Sequence, residues 1–186
     1  MIDEIMADAR TRMERSLDAL RQAFGKIRTG RAHPSLIEAV PVSCYGQDSP
    51  LSQVASITVE DARCLVVRVW DRSLVPNVEK AIMKSSLGLQ PNAAGEVIRV
   101  PLPDLTAETR KGYTRQARQE AEQAKVAVRN IRRDALAEFK RLAKDKQIGE
   151  DDERRSQEAV QKITDSFVQQ VDQILAAKEN DLMVIQ

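Results

Sequence analysis

Aromatic residues and cysteines are both scarce in this sequence. Aromatics make up 3% of its 186 residues, which excludes a thick core built on aromatic rings. Aliphatic side chains between helices pack densely without rings, so the scarcity suits a helical protein. The two cysteines, Cys44 and Cys64, lack CxxC spacing, and a disulfide between them would need an oxidising compartment. We expect both to be packed free thiols.

The sequence also has no apolar run long enough to cross a bilayer. Its acidic start, Met1-Ile2-Asp3-Glu4, is unlike the beginning of a secretory signal peptide. The composition, with 42% hydrophobic and 31% charged residues, is ordinary for a folded soluble protein. These properties predict a cytoplasmic protein with no membrane partner.

Sequence motifs that carry catalysis are missing as well. The single histidine, His33, stands beside Pro34 without a partner carboxylate or cysteine motif. There is no P-loop, dinucleotide fingerprint, HExxH motif or nucleophile elbow. The acids at 150–153 lack the alternating ligands and central glycine of a calcium loop. We therefore expect no catalytic residue, metal, cofactor or small-molecule substrate.

Prolines are confined to the middle of the chain. Because proline breaks helix interiors, long helices are possible only before and after this segment. Seven prolines occupy positions between 34 and 103, namely Pro34, Pro41, Pro50, Pro76, Pro91, Pro101 and Pro103.

Outside the proline-containing segment, apolar residues recur every three or four positions, which is typical of amphipathic helices. Such stripes run from Ile2 to Ile27, from Tyr113 to Leu142 and from Val160 to Leu182. The first helix is predicted to end near Thr29-Gly30, and Thr106 is a predicted N-cap of the second. Three long helices with one apolar face each predict a three-helix bundle.

The proline-containing segment has the pattern of a small α/β domain. A short helix is predicted to be capped by Ser73, to bury Val75, Val78 and Ile82, and to end at Gly88. The predicted domains are 1–30 with 105–186, and 31–104. Short β-branched runs predict strands at 36–45, 54–59, 64–70 and 96–100.

Charge is distributed unevenly over the two long C-terminal helices. Residues 106–146 hold 12 basic and 6 acidic side chains, whereas residues 147–186 hold 4 and 9. On a helical projection of about 100° per residue, the basic side chains of the second helix gather on one flank of its apolar stripe. This flank contains Arg132, Lys125, Arg118, Arg129, Lys111, Lys140, Arg133 and Arg115.

A solvated charged face is the simplest interpretation of this flank, because helix charges commonly form pairs along the helix, as Arg118 and Glu122 would. However, Arg129, Arg132 and Arg133 lie within one turn, with no acid nearby on that flank. Arginine matches phosphate oxygens well. The pattern favours RNA or another polyanion, contacted through backbone and shape rather than through base stacking.

At these residues the chain resembles the bacterial ribosome recycling factor family, from end to end. The long helix carries Val128-Arg129-Asn130-Ile131-Arg132-Arg133-Asp134, which is similar to the family's signature. The other similar segments are Ile27-Arg28-Thr29-Gly30-Arg31-Ala32-His33-Pro34, Asp71-Arg72-Ser73, Val78-Glu79-Lys80-Ala81-Ile82, Leu87-Gly88-Leu89, Ile98-Arg99-Val100-Pro101-Leu102-Pro103, Leu105-Thr106, Glu150-Asp151-Asp152-Glu153-Arg154-Arg155 and Gln161-Lys162.

The resemblance implies an α+β protein of L-shaped, two-domain architecture, with a long three-helix bundle and a small inserted α/β domain. It implies a factor that binds large-subunit rRNA of the post-termination ribosome and splits it, together with elongation factor G and GTP. We expect a monomer. The implied rRNA-binding residues are Arg129, Arg132, Arg133, Arg110, Arg31 and Arg28. The implied hinge residues are Gly30, Arg31, Pro101, Pro103 and Asp104.

A different class of protein would use the same charged faces. A helical protein-interaction module or chaperone cofactor would dock them on a protein rather than on RNA. Salt-sensitive binding to ribosomes or to large-subunit rRNA fragments separates the two hypotheses.

Overall fold

The computed structural model describes residues 1–29 and 31–183. Gly30, one of the predicted hinge residues, lies outside them. The described residues contain four α-helices and six β-strands. In chain order these are α1 (Ile2–Gly25), β1 (Pro41–Cys44), β2 (Gln47–Pro50), β3 (Ala55–Asp61), β4 (Cys64–Val69), α2 (Val75–Lys84), β5 (Asn92–Ala94), β6 (Val97–Pro101), α3 (Ala107–Lys144) and α4 (Glu150–Met183).

The chain divides into two compact units, and both are discontinuous in sequence. The first consists of Met1–Phe24 and Thr114–Glu179, and the second of Gly25–Tyr113 and Asn180–Gln186. The first unit is helical, and the second contains all the described strands together with α2. The predicted fold class, α+β with a helical bundle and a small α/β part inserted into it, is confirmed.

In the helical unit, cross-helix contacts define how the three long helices run. Arg118 contacts Glu179, whereas Arg132, further along α3, contacts Gln161, so α3 and α4 are antiparallel. The N-terminal half of α1 lies beside the C-terminal half of α3, where Arg12 pairs with Asp134 at 3.0 Å. Consequently α1 and α4 run in the same direction, with α3 opposed to both.

The core of this unit is formed by the apolar stripes that the sequence predicts. Burying each large aliphatic or aromatic side chain contributes about 1.5–3 kcal/mol, which the isolated helices cannot obtain. The buried residues are Ala9, Met13, Leu17, Leu20 and Phe24 in α1, Ala117, Ala121, Ala124, Val128, Ile131, Ala135, Phe139 and Leu142 in α3, and Val160, Phe167 and Val171 in α4.

The first helix ends earlier than predicted, at Gly25 rather than near Thr29. The Ser35 hydroxyl donates to the carbonyl oxygen of Gly25 at 2.8 Å. A Cβ at position 25 would approach that side chain to 3.2 Å, so the chain passes closely here. A tertiary contact at a residue of low helix propensity therefore stops the helix. Ile27 remains buried outside it.

The ends of α3 explain its length of 38 residues, about 57 Å. At the start, the Thr106 and Thr109 hydroxyls each accept the other's backbone N–H, at 3.1 and 3.0 Å, so the predicted N-cap at Thr106 is confirmed. At the end, the Gln147 N–H donates to the Leu142 carbonyl, and Lys146 has a φ of +57°. This is a Schellman-type cap with lysine at the position that favours glycine.

In the α/β unit, β3, β4, β6 and β5 form an antiparallel sheet in that order, and β1 pairs with β2 as a separate hairpin. Two-residue turns make the tight connections, because Cys44 pairs with Gln47 and Ala94 pairs with Val97. In the first turn Tyr45 and Gly46 have φ values of +50° and +85°. Positive φ at both positions is the geometry that suits the twist of a hairpin.

One face of the sheet is buried against α2. Alternate residues of β4 and β6 point inward and share one buried cluster with the α2 face found in the sequence. The Asn77 side-chain amide also donates to the Ser43 carbonyl at 3.0 Å, which holds α2 to β1. The inward residues are Leu65, Val67 and Val69 from β4, Ile98 and Val100 from β6, and Val75, Val78 and Ile82 from α2.

Three details of the predicted α/β part are wrong. The predicted strand at 36–45 is a 3-10 turn, Pro34–Leu36, followed by the shorter β1. Ser73 does not cap α2: the Asp71 carboxylate accepts the Ser73 N–H at 3.0 Å and caps the 3-10 turn Arg72–Leu74, which leads directly into α2. The prediction also missed β2 and β5, whose residues are nearly all exposed and polar or small.

Candidate nucleic-acid interface

The exposed flank of α3 carries the basic side chains, as the helical projection indicates. Its apolar face is used by the bundle core, so these side chains remain available to a partner, as do the acidic ones on the opposite flank. Arg129 and Arg133 are exposed, and Arg132 is half-buried.

Acids of α4 neutralise part of this flank. The Lys125 ammonium lies 2.5 Å from a carboxylate oxygen of Asp172, and 16% of its side chain is exposed. The Arg118 Nε donates to Glu179 at 2.8 Å. These contacts follow from the uneven charge of the two helices, because α3 has an excess of basic side chains and α4 an excess of acidic ones. Lys125 and Arg118 are therefore poor candidates for contact with an anion.

The three arginines at 129, 132 and 133 have no carboxylate partner among the described residues, and we call them the basic patch. Arg129 has no side-chain hydrogen bond within the described part of the chain. Arg133 reaches the Asn130 side-chain oxygen only at 3.5 Å. The Arg132 Nη1 donates to the neutral Oε1 of Gln161 at 3.1 Å. The patch thus keeps three positive charges within one helical turn.

The acid that follows the patch in sequence does not compensate it. Asp134 lies on the opposite flank of α3, where it accepts a hydrogen bond from Arg12 of α1 at 3.0 Å. Like charges held this close destabilise a helix unless an anion binds there. The arrangement is suited to phosphate oxygens, which the forked guanidinium groups match in geometry and charge.

The other predicted rRNA-binding arginines lie in the α/β unit. Arg31 is exposed, and Arg110 lies half-buried in the first turns of α3. Arg28 is only 7% exposed, and its Nε has no hydrogen-bond partner among the described residues. Burial lowers the pKa of Arg28, while Tyr113 and Asp104 raise it and Arg63 lowers it. The structure therefore brings together the three patch arginines, and places Arg28 inside rather than on a surface.

The predicted hinge segments are both attached to the turn between β3 and β4. The Ala32 N–H donates to the Ala62 carbonyl at 2.7 Å, and the Leu102 N–H donates to the Arg63 carbonyl at 2.7 Å. The Arg63 guanidinium also pairs with Asp104 at 2.7 Å. The two chain connections are thus held side by side within the α/β unit. Sequence reasoning missed Arg63, since nothing local distinguishes an arginine in a hairpin turn.

His33 has a local structural contact. Its Nδ1 accepts the Ser35 N–H at 3.1 Å and caps the 3-10 turn that follows. Among residues 1–29 and 31–183, no group of three or more His, Cys, Asp or Glu side chains could hold a metal ion. In the same part of the chain, no helix is both long enough and apolar enough to span a membrane.

The α/β unit has a second feature that the sequence did not reveal. Tyr45 and Trp70 are large exposed side chains, and the Tyr45 hydroxyl donates to the Asp71 carboxylate. This bond raises the pKa of Tyr45 and, together with hydrogen bonds from Ser73, lowers the pKa of Asp71. Asp71 thereby links the turn between β1 and β2 to the 3-10 turn that it caps before α2.

These features define a class of protein in which a helical bundle carries a basic patch and a small α/β unit is inserted between two of its helices. Comparison with known proteins identifies the family. The family model described as "Ribosome recycling factor" matches residues 20–183. The ribosome-recycling factors of Saccharophagus degradans and Ectopseudomonas mendocina are 58% and 59% identical over 185 residues, and each pair of chains is covered completely.

Two solved structures agree with this result. The solution structure of a ribosome recycling factor has a TM-score of 0.77 and 34% identity, covering 99% of this chain and 98% of the other. The second structure describes models of the T. thermophilus ribosome recycling factor and the E. coli elongation factor G bound to the E. coli post-termination complex. Its matching chain has a TM-score of 0.71 and 41% identity, covering 99% of this chain and 100% of the other. The chain belongs to the ribosome recycling factor family.

Proposed function

We propose that this chain docks on large-subunit rRNA of the post-termination ribosome through the basic patch. With elongation factor G and GTP, it would then separate the ribosome into subunits. The observation that carries the proposal is the group of three arginines that α4 leaves without carboxylate partners, although α4 neutralises Lys125 and Arg118 on the same flank. The relative described with elongation factor G on the post-termination complex supports the same partners.

Binding through this patch would be electrostatic and would depend on salt. Arginines that neutralise phosphates release condensed counterions, so the logarithm of the association constant falls with the logarithm of salt concentration, by about 0.7–0.9 per phosphate neutralised. Contacts of this kind position a protein on RNA without reading its sequence. We propose Arg129 and Arg132 as the principal contacts, and Arg133, Arg110 and Arg31 as further contacts.

Arg28 requires a different role within this proposal. A guanidinium that is 7% exposed cannot present its fork to a phosphate without moving. We propose that it supports the junction beside Asp104 and Arg63, and that its contact with rRNA needs a rearrangement there.

The functional parts proposed are the bundle, 1–30 with 105–186, and the inserted domain, 31–104. The hinge between them would comprise Gly30, Arg31, Pro101, Pro103 and Asp104. Bonds from Ala32, Leu102 and Asp104 to the β3–β4 turn support the idea that both connections move together with the inserted domain. In this proposal the domain transmits force that elongation factor G supplies.

The chain itself would hydrolyse nothing and would act as a cytoplasmic monomer without a cofactor. Chemistry in the reaction would belong to elongation factor G, which consumes GTP. The contribution of this chain would be binding energy and the transmission of movement.

Subunit splitting tests the proposal directly. Post-termination ribosomes are incubated with the chain, elongation factor G and GTP, and are separated on a sucrose gradient. We expect free subunits with the wild-type chain, and intact ribosomes with Arg132→Glu at the same melting temperature and helicity. Intact ribosomes with the wild-type chain, under conditions in which elongation factor G translocates, would refute the function.

A further inference from the structure

A hydrogen-bonded network joins α3 to α4 at the basic patch. The Arg132 Nη1 donates to Oε1 of Gln161 at 3.1 Å, and Nε2 of Gln161 donates to an oxygen of Asp165 at 2.8 Å. Gln161 and Asp165 are one turn apart on α4, the spacing at which side chains meet on a helix surface. The network therefore reaches Arg132 from a neighbouring helix, and neither Arg129 nor Arg133 has such a contact within the described residues.

The Asp165 carboxylate fixes which end of the Gln161 amide faces Arg132. An ionised carboxylate only accepts hydrogen bonds, so it must be met by the amide NH₂ group. The amide oxygen is then turned toward Arg132, which only donates. A reversed amide would place two donors against Arg132 and two acceptors against Asp165. The three side chains are consequently compatible in one arrangement.

The arginine at the centre of this network is restrained but not neutralised. Its Nε is shielded from solvent and has no hydrogen-bond partner among the described residues, and Nη1 is held by Gln161. Nη2 also has no hydrogen-bond partner there, so its two N–H groups and the second N–H of Nη1 are donors that the described residues do not use. An arginine side chain carries about 2 kcal/mol of rotamer entropy. Because Arg132 is already held in the free protein, less of this entropy is lost when it binds a phosphate.

The contact between Arg132 and Gln161 differs in charge from the other contacts that basic residues of α3 make with α4. Lys125 and Arg118 meet carboxylates, which cancel their charge toward a distant anion. Arg132 meets a neutral amide oxygen instead. A neutral acceptor orients the guanidinium and leaves its full positive charge available.

We propose that Gln161 is a positioning residue that holds Arg132 for a phosphate oxygen, with Asp165 fixing the orientation of the Gln161 amide. This inference rests on the proposed function, because it requires Arg132 to bind rRNA. In this inference α4 contributes to the interface, because its residue Gln161 orients the Arg132 guanidinium of α3 without neutralising its charge.

The replacement Gln161→Glu separates positioning from ordinary structural support. A carboxylate in this place keeps the contact with Arg132, but it also faces the Asp165 carboxylate where the amide NH₂ donated, so Asp165→Asn is made with it to restore that hydrogen bond. The bridge between the two helices is then kept, so a merely structural role would be preserved, whereas under the proposal the new carboxylate neutralises Arg132. We expect the affinity of this double variant for isolated large subunits to fall about tenfold, and its salt slope to become shallower by about 0.9, with an unchanged melting temperature.

Two further variants and a control complete the test. Gln161→Ala and Asp165→Ala release the arginine without neutralising it, so we expect affinity losses of about threefold with an unchanged salt slope. Gln170→Glu makes the same chemical change on α4 at a residue whose side-chain amide bonds to Ser166 instead, and we expect it to bind within about twofold of wild type.

The Arg132→Ala background distinguishes failure of this inference from failure of the proposed function. In that background Gln161→Glu with Asp165→Asn should have no further effect on affinity, since the group it acts on is gone. If Arg132→Ala weakens binding while the double variant binds like wild type, the positioning role is refuted and the proposed function stands. If Arg132→Ala binds like wild type, both are refuted.

Discussion

Lys125 and Arg129 are replaced by alanine, one at a time. We expect Lys125→Ala to lower stability with little effect on binding, and Arg129→Ala to weaken binding with little effect on stability. Both residues are basic, and both lie on the same flank of α3, one turn apart. They differ in their contacts with α4. Lys125 forms an ion pair with Asp172 at 2.5 Å, whereas Arg129 has no ion-pair or hydrogen-bond partner among the described residues. Loss of charge is the same in both variants, so each serves as the control for the other.

The magnitudes follow from these surroundings. Lys125 is mostly buried by its partners, and its removal is expected to lower the free energy of unfolding by about 1 kcal/mol, the upper range for a surface ion pair. Its ribosome affinity should change by less than about twofold, because an ammonium held by Asp172 makes no direct phosphate contact that could be lost. Arg129→Ala should leave stability within about 0.5 kcal/mol of wild type. It should weaken binding about tenfold and reduce the salt slope by about 0.9.

Two assays measure the two effects. Urea unfolding followed by circular dichroism gives the free energy of unfolding, and co-sedimentation with large subunits at several salt concentrations gives the affinity and its slope. A Lys125 variant that lost as much affinity as the Arg129 variant would show that local pairing does not decide which cations bind.

Three further predictions concern stability and titration. Phe139→Ala should lower the free energy of unfolding by about 3–5 kcal/mol in urea melts, because the ring is fully buried; a cost below about 1 kcal/mol would contradict the described core. Lys146→Gly should raise the free energy of unfolding by about 0.5–1 kcal/mol, because φ is +57° there, and a loss of stability would show that the lysine side chain contributes more than its strain. Tyr45→Phe removes the largest cause of the lowered pKa of Asp71, so NMR titration should find that pKa shifted upward. The stability that Asp71 contributes is present above its unfolded-state pKa and is lost as the pH falls through the lower folded value, so acid unfolding of the variant should begin at higher pH. An unchanged carboxyl titration would argue against the bond.

The helices could be predicted from the sequence because their determinants are local. Apolar residues recur at helical spacing, and prolines are absent from both helical segments. The end of α1 could not be predicted in the same way, because Gly25 stops the helix through a contact with Ser35, ten residues further on. Strands β2 and β5 were missed for a related reason. Their side chains are mostly exposed, and only backbone pairing with β1 and β6 defines them.

The candidate site shows the same division. Periodicity places the basic residues of α3 on one flank, and this much is visible in the sequence. Which of them are neutralised depends on the register between α3 and α4, since Asp172 and Glu179 lie more than 40 residues from the cations they contact. That register is set by the cap at Lys146 and the start of α4, which no spacing rule specifies. The basic patch therefore emerges only when both helices are seen together.

The central claim is that the basic patch touches RNA rather than protein, and a photo-crosslink at Val126 tests it most directly. This side chain is 52% exposed and lies one turn before Arg129, so a benzoylphenylalanine there leaves all three patch arginines in place. On post-termination ribosomes we predict crosslinks to large-subunit rRNA. They should be lost when Arg129→Glu and Arg132→Glu are added, and kept when Arg154→Glu and Arg155→Glu make an equal charge change on α4. Crosslinks to protein alone, or rRNA crosslinks that survive reversal of the patch, would contradict the account.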